Sequence, residues 1–405
     1  MPSIQELPCE IIGATLKNLD HLRFLTPALL ACRHFHTSYG ESSGVEASIL
    51  RRQVTPALLP YSVALAEASR LPRPLVASSV LGLLDELYSQ PTLLSARVPT
   101  LPKTLLRNMS RTHDAMHALA TDFATKAWTR ISPQTASASI VLSPTEYFRF
   151  CRAFYRAELF YTLCQTDHER AAWFFRKHPP WENEQIGCVY DYLQAKFAQA
   201  SRDVLAHDVD FGELSVDYLT PGDDNQWRER WLSRGVEFVY SLTVADSYDA
   251  KKSLLESSVD SMPGRISLPE ALGQLYDADG QMIEEYSEEQ LRSMAPRHSD
   301  QTEEDTDCGP YQAWRNANEG LSLEESIMMA HNSWLRERAY VFWDAHRVSK
   351  LQDGFGEDPG YQAAFTEQEY NEMLESFDER SKIWQKGGTG YWSRGDTSRI
   401  VWPNK

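Results

Sequence analysis

The sequence predicts a mainly α-helical protein, a single large irregular helical body, and three observations carry that expectation. Apolar residues recur at helical spacing from residue 7 to about residue 250. Ser143-Pro144-Thr145-Glu146 is a complete helix-start signal, with serine as N-cap, proline in the first turn and glutamate three residues after the cap. No repeat of 20–50 residues occurs, which excludes leucine-rich, kelch and WD-type arrays.

The individual elements follow from local pattern. In Leu7–Phe35, Leu7-Pro8 followed by Glu10 suits a helix start, and apolar residues follow at Ile11, Ile12, Leu16, Leu19, Leu22, Leu25, Leu29, Leu30, Cys32 and Phe35, broken once near Pro27. Helices are expected at Val45–Gln53, Pro56–Ser69, Leu75–Tyr88 and Arg111–Trp128. Proline-marked joints or loops are expected at 70–74 and 89–104, and a small-residue loop at Ser132–Ser139. The helix begun at Pro144 is aromatic on several faces and reads as buried, so Arg149, Arg152 and Arg156 need partners, with Glu158, Asp191 or Asp210 as candidates. PPWENEQIGCVYDYL opens another strong helix, and residues 225–246 a third. Beyond 250 the pattern weakens. Residues 296–310 form an acidic loop, Leu321–Val348 a closing helix, and KGGTGYWSRGDTSRIVWP a segment packed on the body.

Composition narrows the classes. At 405 residues the length admits two or three domains or one large body, and 42% hydrophobic and 11% aromatic content excludes global disorder. No apolar run reaches the roughly 18 residues of a membrane helix, and MPSIQELPCE is not a signal peptide, so the cytoplasm or the nucleus is expected. The six cysteines are scattered without CxxC spacing and read as reduced core residues. Residues 1–200 carry 20 Lys+Arg against 17 Asp+Glu, whereas residues 201–405 carry 20 against 40. The acidic second half disfavours nucleic-acid binding there, and DNA is not an expected partner.

Few motifs carry chemistry. His113 and His117 are one helical turn apart, but the metalloprotease pattern needs glutamate where Asp114 stands, so no metal is assigned. There is no G-x-S-x-G and no phosphate-binding glycine loop, which disfavours an ATP-driven step; no cofactor is assigned. Asp210-Phe211-Gly212-Glu213 places two acids around a glycine, which would let the backbone turn so that both carboxylates face one pocket. Such a pair could hold an ammonium or guanidinium ion or supply a general base; equally, it could be a solvated loop with capping acids. Asp300 and Glu303 repeat the spacing inside the acidic loop, where a solvated face explains them.

Two resemblances add expectations. The LP-x-E-I opening and C-R-x-F close resemble the F-box. SPTEYFRFCRAFYRAELF, PPWENEQIGCVYDYL, HDVDFGE and WLSRGVEFVY resemble filamentous-fungal proteins that include arginine-containing cyclodipeptide synthases, over residues 7 to 245. That likeness implies three regions: an F-box-like helical segment at 1–70, an aromatic-rich helical core at 71–250 and an acidic, partly irregular helical region at 251–405. It implies an enzyme joining arginine and a second amino acid from aminoacyl-tRNAs, including arginyl-tRNA, with the D-x-x-E motif falling on Asp210 and Glu213. Arg51, Arg52, Arg107, Arg111, Arg176 and Lys177 are then the expected RNA contacts. The F-box likeness implies instead an adaptor that docks the small adaptor subunit of a cullin-type ubiquitin ligase.

Overall fold

A computed structural model describes residues 7–132, 140–219, 226–257, 266–275, 281–294, 307–327, 332–351, 354–356 and 365–403. The fold is mainly α. Among the described residues, the paired strands are Thr389–Gly390 and Ile400–Val401, which run antiparallel. No described helix is long and apolar enough to cross a membrane. Most of the expected loop at Ser132–Ser139, most of that at 296–310, and Asp300 and Glu303 lie outside the described residues.

The Pro144–Leu163 helix is the axis of the body, packed against Leu59–Ala68, Lys103–Ile131 and Pro180–His207. Its capping box forms as expected, the Ser143 hydroxyl accepting from the Glu146 amide and the Glu146 carboxylate from the Ser143 amide. Phe150 stacks on Phe342 with ring centroids 4.3 Å apart and meets Phe123 edge-on, so the core is built from interlocked rings. One apolar cluster runs from Ile12 to Trp343; a small separate one joins Val209, Ile383, Trp392 and Ile400.

The first helices feed the larger cluster. Ile12, Leu16, Leu22 and Leu25 are buried, and His21 fastens the segment to Asp114 on the Lys103–Ile131 helix at 2.6 Å. Ile11, Phe24 and Leu30 remain 52, 46 and 81% exposed. Of the six cysteines, all free, Cys151, Cys164 and Cys188 are buried and the other three half-buried.

Several elements depart from the sequence pattern for visible reasons. The 89–104 loop contains the helix Pro91–Ala96 and a 3-10 turn at Val98–Thr100, because proline starts a helix when it sits in the first turn. Residues 225–246 form two helices, Gln226–Leu232 and Val236–Val244, broken at Gly235, whose φ of +92° suits glycine. Among the described residues of the expected helix Leu321–Val348, Ser333–Arg336 and Ala345–Val348 are α-helical. Between them the main chain is captured from outside: the Gln185 amide donates to the Val341 carbonyl at 2.8 Å and Arg149 to the Phe342 carbonyl at 3.1 Å.

The arginine row also pairs otherwise than expected. Arg149 meets Asp344 at 2.8 Å, Arg152 meets Glu182 at 3.2 Å and Arg156 meets Glu182 at 2.7 Å, while Asp191 belongs to Arg336. Burial would raise the Glu182 carboxyl, but Arg152 and Arg156 outweigh it and hold the group down to about 2. Glu158 faces the other way. It lies over Gly235, where a Cβ would sit 2.3 Å from its oxygens, and accepts from the Val236 amide.

Burial pushes the Glu158 carboxyl up to about 7, against an ordinary 4.5. A carboxyl raised on folding contributes stability below the unfolded value and loses it as pH rises through the folded one, here between about 4.5 and 7. Glu158→Gln, which keeps an acceptor for Val236, is expected to gain up to about 3 kcal/mol over the parent on going from pH 5 to pH 8. Urea unfolding at both pH values checks this; an unchanged difference between parent and variant would refute it.

Candidate functional site

The Pro180–His207 helix ends where Asp208 leaves helical geometry, and the short turn Val209–Glu213 begins. Asp208 is fully buried and caps that turn, its carboxylate accepting from the Asp210 amide at 3.0 Å. A buried carboxylate needs compensation. It receives the Tyr248 hydroxyl and the Lys252 ammonium, the latter at 2.8 Å, both from the Tyr248–Glu256 helix.

Lys252 also reaches Asp210 at 3.0 Å and Glu256 at 3.4 Å. Burial alone would lower its pKa, but the hydrogen bonds and charges of Asp208 and Asp210 outweigh it and raise the value, so Lys252 is a fixed cation. Burial, then the bond to Asp208, raises the Tyr248 phenol, which stays protonated and donates.

A third wall comes from Glu367–Gln385, a helix the sequence pattern had left unassigned. Arg380 is fully buried there and donates to the carbonyls of Leu205 at 2.7 Å and Asp208 at 2.8 Å, tying off the end of the Pro180–His207 helix. Burial lowers its guanidinium to about 10. Ser381 donates to the Gly212 carbonyl at 3.1 Å. The hairpin closes the site: Tyr391 pairs with Asp208 in an antiparallel bridge, and the Trp392 amide donates to the His207 carbonyl at 2.7 Å.

Asp210 and Glu213, the sequence candidates, are thus brought onto one face of a single helical turn, three residues apart. They are not equivalent. Asp210 is held by Lys252, with 36% of its side chain exposed. Glu213 is half-buried and makes no ion pair or hydrogen bond with another side chain among the described residues. Gly212 serves a purpose other than the expected bend. It is helical, and a Cβ there would lie 2.2 Å from the Arg380 Cβ, so glycine is required by the close approach of the Glu367–Gln385 helix.

The other candidates lie apart from this turn. His113 and His117 each turn Nδ1 to a tyrosine hydroxyl, Tyr155 at 3.1 Å and Tyr147 at 3.0 Å, and burial lowers His113 to about 4. Arg51, Arg52, Arg107 and Arg111 lie on the packed helices Val45–Gln53 and Lys103–Ile131. Arg52 faces Asp20 at 3.7 Å, Arg107 faces Glu46 at 4.0 Å and Arg111 faces Glu237 at 3.8 Å. Arg176 and Lys177 follow a different helix, His168–Phe175, and Lys177 pairs with Asp85 at 3.1 Å.

Sequence reasoning missed Asp208, Tyr248, Lys252 and Arg380. Asp208 had a signal, an acid directly before a turn whose second residue needs a cap. The other three arrive from remote helices and leave no local trace. No protein-family model, curated protein or solved structure matches the chain.

Removing Lys252 would strand Asp208 with an uncompensated charge. Lys252→Met is expected to cost about 3 kcal/mol. Asp208→Asn in the same chain is expected to recover part of the loss, because the amide carries no charge. Denaturant unfolding of both variants checks this; a double variant no more stable than Lys252→Met alone would disprove the charge argument.

Proposed function

We propose that the chain is an aminoacyl-tRNA-dependent cyclodipeptide synthase, with the Asp210/Glu213 turn as its catalytic centre. The observation that carries this reading is the asymmetry of the two carboxylates: Asp210 is neutralised by Lys252, and Glu213, on the same face, is left to receive a cation from outside. An aminoacyl ester supplies two such cations, an α-ammonium and, for arginine, a guanidinium. The resemblance of HDVDFGE and the helices around it supports the substrate class; the geometry supports a carboxylate placed to take a proton or a positive charge.

In this reading Glu213 accepts a proton from the ammonium of one aminoacyl-tRNA. The freed amine attacks the ester carbonyl of the second; a C–N bond forms, the C–O ester bond breaks, the terminal ribose hydroxyl leaves with the proton returned by Glu213, and the second proton shed by the nitrogen passes to solvent. The dipeptidyl ester then closes by the same exchange, its own amine displacing the tRNA that still carries it. The esters are already activated, so no nucleotide hydrolysis enters the balance. Asp210, fixed by Lys252, sets the field and position of the turn.

The adaptor reading draws on a different observation, the exposure of Ile11, Phe24 and Leu30 on the first helices. It is the weaker because Ile12, Leu16, Leu22 and Leu25 are consumed by the chain's own core.

Expression in a host with ordinary aminoacyl-tRNAs, with mass spectrometry of the medium, is expected to show arginine-containing cyclic dipeptides. Glu213→Gln is expected to lower their yield at least 100-fold at equal protein level, and Asp210→Asn by about 10-fold, magnitudes typical of acid–base groups. Full yield from Glu213→Gln would remove the assignment. No product, together with co-purification of a cullin ligase's small adaptor subunit, would replace the enzyme by the adaptor.

A further inference from the structure

We propose that the C-terminal element, residues 380–403, is a docking face for the unpaired 3′ end of an RNA. The proposal rests on the enzyme reading for the identity of that RNA, an aminoacyl-tRNA acceptor end. The face itself is argued from charge and exposed rings.

The charge comes first. Within a half-chain carrying 20 Lys+Arg against 40 Asp+Glu, residues 380–403 hold Arg380, Lys382, Lys386, Arg394 and Arg399 against Asp396 alone. Arg380 is buried in the site, Lys382 pairs with Glu379, and Arg394 pairs with Glu372 and Glu375. Lys386 and Arg399 are exposed and have no ion pair among the described residues. Among those residues Lys386 has no acid beside it and Arg399 has the exposed Asp396, so both side chains can meet phosphates from solvent.

The rings come second. Trp384 is 43% and Trp402 46% exposed, although large aromatic side chains are highly buried on average. They belong to one neighbourhood. The Glu367–Gln385 helix ends in a Schellman motif, with Gly387 at φ +78° and the Gly388 amide donating to the Ile383 carbonyl at 3.0 Å. A Cβ on Gly388 would meet Ile383 at 2.6 Å and Trp402 at 3.1 Å, so the Trp402 ring lies over that backbone, beside the residue preceding Trp384. Exposed indoles on an element that also carries exposed cations are the pairing that holds unstacked bases and their phosphates; duplex bases offer no free face to stack.

The path leads to the candidate site. Trp384 is one helical turn beyond Ser381, which bonds the carbonyl between Asp210 and Glu213. Gly388, under Trp402, is three residues before Tyr391, about 10 Å of extended chain. Tyr391 pairs with Asp208 and is sandwiched between His207, with centroids 4.7 Å apart, and the Arg399 guanidinium at 3.9 Å.

The test uses the full chain and two labelled RNA hairpins, one blunt and one with a four-nucleotide single-stranded 3′ overhang, titrated by fluorescence anisotropy. The overhang hairpin is expected to bind at least tenfold more tightly, with affinity falling as salt rises. Trp384→Ala/Trp402→Ala is expected to lose at least tenfold, Trp402→Phe little, and Lys386→Gln/Arg399→Gln to flatten the salt dependence. Equal binding of blunt and overhang hairpins, or full affinity in the double tryptophan variant, would overturn the face. Cyclic dipeptide formed by a parent protein with no preference for the overhang would overturn the face and leave the enzyme standing. Overhang binding without product would sink the enzyme and leave the face.

Discussion

Everything in this fold depends on guanidinium groups that were taken out of water and supplied with partners from distant parts of the chain. Arg149, Arg152 and Arg156 point inward from the central helix, and Arg336 and Arg380 point inward from the C-terminal third. An unpaired charge inside such a core would cost several kcal/mol, so each one dictates where an acid or a carbonyl must be. Arg152 and Arg156 fix Glu182 and hence the start of the Pro180–His207 helix; Arg380 fixes its end through the Leu205 and Asp208 carbonyls. One long helix is thereby clamped at both ends by cations from other elements. The acidic turn that follows inherits that rigidity.

How far the sequence revealed this can be judged residue by residue. The Pro144–Leu163 and Pro180–His207 helices were legible because cap, first-turn proline and apolar stripe are all local. The unassigned Glu367–Gln385 helix had local signals too, Thr366 and Glu369 as a capping box and the Gly387-Gly388 stop, but its mostly polar surface hid its apolar stripe. Leu321–Val348 misled for the opposite reason. Its aromatic residues have helical spacing, but Gln185 and Arg149 take carbonyls that a helix would have used, and no local pattern announces competitors 156 and 193 residues away.

The candidate site shows the same division. Asp210 and Glu213 could be named from the glycine between them and from the D-x-x-E resemblance, whereas the asymmetry between them could not. It comes from Lys252, placed by another helix, and from Asp208, whose burial draws Lys252 inward. Charge summed over half a chain was also too coarse. The acidic balance of residues 201–405 conceals a basic, aromatic stretch at 380–403, and only the fold places that stretch beside the acidic turn.

Gly212 carries a consequence for recognising this architecture elsewhere. Its missing side chain and the Cβ of residue 380 compete for one volume, so the two positions cannot both bear a Cβ while the helices keep their spacing. Replacing residue 380 by glycine would vacate the volume but surrender the guanidinium that ties off the long helix. The signature that marks the turn is therefore narrower than D-x-x-E: an acid, any residue, a second acid, any residue, then glycine and glutamate, accompanied by an arginine about 170 residues downstream. A genome search with that paired pattern would separate chains built like this one from the many that match four residues by chance.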